Sequence, residues 1–75
     1  MNKAQKQFTN RIVRRINALL NKVGPLRTRL YKLSKNPKKA FSHTEAMFDL
    51  REVMTELQVL NQVLTAIQAY EKLGD

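Results

Sequence analysis

The residues with the strongest chemical signature in this 75-residue chain are its cations. Lys3, Lys6, Arg11, Arg14 and Arg15 form one group, and Lys32, Lys35, Lys38 and Lys39 form a second, with no Asp or Glu anywhere in residues 1–44. Crowded cations attract the phosphates or carboxylates of a partner, Arg through its planar fork and Lys as a point charge. The charge is also segregated. Residues 1–40 hold twelve Lys and Arg and no acid, while residues 41–75 hold two against six acids, so that +12 and −4 make up the net +8. An imbalance of this size speaks to partners and not to fold. The expected partner is nucleic acid, DNA or RNA, held by its phosphates. The alternative is an acidic protein. No helix-turn-helix spacing, zinc-finger pattern or ribonucleoprotein motif is present, so no sequence specificity is expected.

Other chemistry finds little support. His43 is the only histidine and Cys is absent, so neither an imidazole–thiolate metal site nor a disulfide can form. Glu45, Asp49, Glu52 and Glu56 step by four, three and four along one segment, which is the spacing of an ion-paired or solvated helix face. The two glycines, Gly24 and Gly74, lie too far apart for a phosphate-cradling loop. Tyr31 and Tyr70 stand alone and not in a base-stacking row. We expect no enzyme activity, no cofactor and no metal.

The elements that position the cations follow from apolar periodicity. Phe8, Ile12, Ile16, Leu19, Val23, Leu26, Leu30 and Leu33 recur in steps of three and four, one face of an α-helix. Gly24-Pro25 interrupts the stretch chemically but not rhythmically, which predicts one kinked helix over about residues 5–34. A three-helix bundle broken at Pro25 is the alternative. Residues 34–42 carry loop chemistry, and Ser42-His43-Thr44-Glu45 matches a capping box that would open a second helix at His43. This helix, about residues 43–73, presents Ala46, Leu50, Val53, Leu57, Leu60, Leu64 and Ile67 on one face, with Gly74 just past its end. Residues 1–6 are expected to fray.

Two helices of matched length predict an all-α antiparallel helical hairpin, a single domain over residues 1–75. Pairing Ile12 with Leu64, Ile16 with Leu60, Leu19 with Leu57, Val23 with Val53, Leu26 with Leu50 and Leu30 with Ala46 gives apolar layers throughout. The same register sets Arg29 against Asp49 and Lys22 against Glu56, and leaves Arg15 facing Val63. Lys22 and Arg29 are therefore assigned to register and the two cation groups to the ligand. Val13, Leu20, Met47, Met54, Val63 and Tyr70, with Val59, remain beside the seam as an oligomer or partner face. A chain this short buries only about 60% of its unfolded surface, so a homodimeric four-helix bundle is the expected assembly. No apolar run approaches a secretory or bilayer-spanning segment. A cytoplasmic protein without integral membrane association is expected.

Overall fold

The computed structural model describes residues 2–74 and shows a chain that folds back on itself once. Helix α1 spans Lys3–Ser34, a single 3-10 turn spans Pro37–Lys39, and helix α2 spans Ala40–Gly74. The fold is an all-α antiparallel helical hairpin, 57 Å long and 17 × 13 Å in section.

Helix α1 starts earlier than the apolar rhythm does. Asn2 adopts the extended N-cap conformation and its side chain accepts a hydrogen bond from the Gln5 backbone N–H at 2.8 Å. Gln5 Oε1 in turn accepts from the Asn2 N–H at 3.2 Å. This reciprocal capping box satisfies two donors that a helix start leaves unpaired. It also makes residues 3–6 helical, where fraying was expected.

Pro25 lies inside α1, and the helix continues through it. The three-helix alternative is thereby overturned. An internal Pro removes the hydrogen bond to the carbonyl four residues back and costs on the order of 3 kcal/mol. Val23 and Leu26 are both half-buried against α2. Burial of such side chains contributes about 1.5–3 kcal/mol each when complete, enough to offset the proline. Gly24 helps as well. A Cβ on the residue before proline clashes with the ring in the α conformation, and glycine has none.

The second turnover between elements differs from expectation. Asn36, extended at φ −119° and ψ 101°, accepts from the Lys38 N–H through its side chain at 3.1 Å, with Pro37 at the first position of the turn. Asn before Pro is a strong start signal, because Asn satisfies an orphan donor and Pro has no N–H to satisfy. The 3-10 turn leads directly into α2 at Ala40. Ser42, His43, Thr44 and Glu45 consequently lie within α2, where the Thr44 hydroxyl donates to the Ala40 carbonyl at 3.0 Å instead of capping anything. At the far end α2 includes Gly74.

The core lies on the two expected apolar faces. Ile12, Leu19, Ala46 and Leu57 are buried, with Leu19 at 1% and Ala46 at 0% exposure. Ile16, Val23, Leu26, Leu30 and Leu33 on α1, and Leu50, Val53, Leu60, Leu64 and Ile67 on α2, are half-buried. Phe8, which shares their periodicity, is instead 51% exposed near the open end of the hairpin.

Candidate functional site

The expected charge register is corrected by the structure. Arg15 Nε donates to Glu56 Oε2 at 2.5 Å and Arg15 Nη2 to Oε1 at 2.9 Å, a two-pronged pair across the helices. Among the described residues it is the only ion pair. Neither Lys22 with Glu56 nor Arg29 with Asp49 comes within pairing distance. Lys22 and Arg15 are seven residues apart and so share one flank of α1. The Glu56 carboxyl senses both: the Arg15 hydrogen bonds hold it below the ordinary carboxylate range, against a smaller opposing effect of desolvation, and the charges of Arg15 and then Lys22 add to the lowering. The same hydrogen bonds raise Arg15.

This exchange reorganises the cationic surface. Arg15 is engaged by Glu56, while Lys22 and Arg29 are released from the pairing expected of them. At 100° per residue, Arg11, Arg14, Lys22, Arg29 and Lys32 fall within one sector of α1 about a quarter turn from the seam, and all five are exposed. Ala18 and Pro25, both exposed, fill the gaps in the row. Pro25, Thr28, Arg29 and Lys32 line one shallow notch on that face. The result is a basic ridge about 32 Å long from Arg11 to Lys32, at 1.5 Å per residue. Lys3 lies on the same side near its start. Lys6 is turned toward the opposite flank, near Val13 and Leu20.

At its other end the ridge runs into the loop. The Lys35 ammonium sits 4.3 Å above the Tyr31 ring, a cation–π contact that ties the loop to α1. Lys38 and Lys39 are exposed within the 3-10 turn. The two cation groups expected at the ends of α1 are thus joined, Lys22 and Arg29 being the link.

The apolar partner face is divided. Leu20 and Met54 line one open groove between the helices, together with Ile16, Val23, Thr55 and Ala66. Val13 and Met47 are exposed and share the angular sector of that flank. Val63, half-buried, lies one heptad beyond Glu56 on the opposite flank, and Tyr70 lies a further heptad on. Periodicity beside the seam missed a second row: Phe41, Phe48 and Leu73 are all among the exposed large apolar residues and project from the outward side of α2. Their spacing, seven residues from Phe41 to Phe48, is a legible signal.

Compared with protein-family models, with curated proteins and with solved structures, the chain matches none. Among the described residues no group of His, Cys, Asp and Glu is arranged to hold a metal ion. No helix among them is long and apolar enough to cross a membrane.

Proposed function

We propose that this hairpin is a non-enzymatic, cytoplasmic nucleic-acid-binding protein that works as a homodimer and holds a phosphate backbone along the basic ridge of α1. The observation that supports it is the ridge: five exposed cations in one row, with no acid within ion-pairing distance, on the helix that has no acidic residue. Its length of about 32 Å matches one turn of duplex, roughly 34 Å. Phosphate contacts of this kind position a protein on the backbone without reading bases.

The test is fluorescence anisotropy with duplex DNA, duplex RNA and single strands across a salt series. Engagement of the five ridge cations predicts a log–log slope of about −4 to −5, near 0.9 for each phosphate neutralised on duplex DNA. Reversing Arg14, Arg29 and Lys32 to Glu should abolish binding and leave the helical signal intact. Absence of binding at low salt, or a flat salt response, sinks the proposal.

A second reading is favoured by the apolar residues outside the seam: an interaction module, an adaptor or inhibitor, for an acidic protein. In that case Leu20→Glu or Met54→Glu abolishes function while ridge substitutions are tolerated.

A further inference from the structure

The two helices differ in how completely they are covered. Apolar side chains of α1 concentrate on the side facing α2, and the basic ridge runs about a quarter turn round the helix from that side. On α2 they occur all round. Phe41, Phe48 and Thr55, each seven residues after the last, continue four residues on as Val59, Ala66 and Leu73, again seven apart. At 100° per residue these six, five apolar and one Thr, form one straight row on the side of α2 turned from α1. Phe41 is 77% and Leu73 84% exposed. A helix that is apolar on opposite sides is one that is covered on both. Thr55 and Ala66, on the edge of the row nearer α1, also line the groove that contains Leu20 and Met54, so the groove adjoins the row.

The area supports a cover of substantial size. The chain exposes 6280 Å². A compact protein of 8.7 kDa exposes about 4,700 Å². Elongation adds surface, and eleven large apolar side chains among the described residues stand exposed on it. The difference, about 1,500 Å², falls in the range each subunit of an obligate homodimer buries.

We propose that the outward row of α2 is covered by the α2 of a second copy, running antiparallel, a proposal that rests on the homodimer reading above and specifies its face. The antiparallel order follows from size and from charge. Phe41 then meets the partner's Leu73, Phe48 meets the partner's Ala66 and Thr55 meets the partner's Val59, each larger side chain opposite a suitable space or apolar neighbour. A parallel order would set two segments bearing Glu45, Asp49, Glu52 and Glu56 side by side, with Arg51 alone to compensate, and would bring both lysine loops together. In the antiparallel order the loop of Lys35, Lys38 and Lys39 lies beside the C-terminal turns of the partner's α2, where helix carbonyls and the Glu71 carboxylate complement it.

Sedimentation of the full chain, with cross-linking of engineered cysteines, tests this. The chain has no Cys of its own, so each introduced thiol reports one position. The expected results are a dimer for the native sequence and dimerisation weakened tenfold or more in Val59→Glu. Mixed Phe41→Cys and Leu73→Cys chains should oxidise to the hetero-disulfide, since a disulfide requires Cα atoms within about 7 Å. Phe41→Cys alone should give no dimeric disulfide, because antiparallel helices hold the two copies of residue 41 tens of ångströms apart. A native chain that sediments as a monomer overturns the homodimer reading itself. A native dimer that is unaffected by Val59→Glu, and that forms no mixed disulfide, overturns the face alone. A Phe41→Cys homodimer overturns the antiparallel order.

Discussion

At the scale of the residue, the choice of Arg15 over Lys22 by Glu56 shows what a guanidinium offers that an ammonium does not. Both cations occupy the same flank, and the carboxylate lies where each is felt. Two parallel N–H donors satisfy both carboxylate oxygens at once, which a point charge cannot do. The partners are 48% and 41% exposed, so solvent screens the pair and it orients the helices more than it holds them. Its pH signature is nonetheless specific. The folded-state pKa of Glu56 is depressed, so its stabilisation is complete above the unfolded carboxylate range and is lost as pH falls through the folded value. In urea titrations across the acid range, Glu56→Gln should track the native protein at the lowest pH and fall behind it as pH rises. The gap should stop widening above the ordinary carboxylate range. A gap independent of pH would contradict the assigned pair.

At the scale of the element, asparagine caps both helix α1 and the 3-10 turn that leads into α2. Asn2 and Asn36 each accept from a backbone N–H two or three residues on. Loss of an N-cap costs about 1 kcal/mol, so Asn36→Ala should destabilise by that order whereas Ser42→Ala should cost markedly less. Chemical denaturation of the two variants compares them directly. Equal losses would restore Ser42 as the cap. Pro25 provides the converse case, being retained in α1 against its local cost. Pro25→Ala restores a backbone donor and should raise stability by about 1–3 kcal/mol, read as an upward shift in the urea midpoint. A loss of stability would mean that Pro25 shapes the helix for packing.

At the scale of the whole molecule, one layer of two helices buries four apolar side chains among the described residues and leaves eleven large ones exposed. Such a core is marginal by itself, and the proposed pairing of α2 helices couples folding to assembly. The thermal midpoint should therefore rise with protein concentration by mass action, and Val59→Glu should flatten that dependence. Circular dichroism melts over a hundredfold range of concentration measure it. A midpoint that stays constant for the native chain would leave the hairpin stable alone.

The hairpin, its seam and its continuity through Gly24-Pro25 were legible in the residues, because apolar side chains spaced at three and four have one way to leave water and that way is local to each helix. The two cation groups were legible for the same reason, charge being a property of composition. Which cation meets Glu56 was not, since Arg15 and Lys22 sit at equivalent angles and only the axial offset of the helices separates them. That offset is set by packing around Leu19, Ala46 and Leu57 and by the Asn36-Pro37 turn, which begins the return helix earlier than the Ser42 signal indicates. Tertiary structure alone therefore decided that Lys22 and Arg29 belong to the exposed surface. It aligned Arg11, Arg14, Lys22, Arg29 and Lys32 in one basic ridge along a flank of α1, and left the apolar outer row of α2 uncovered.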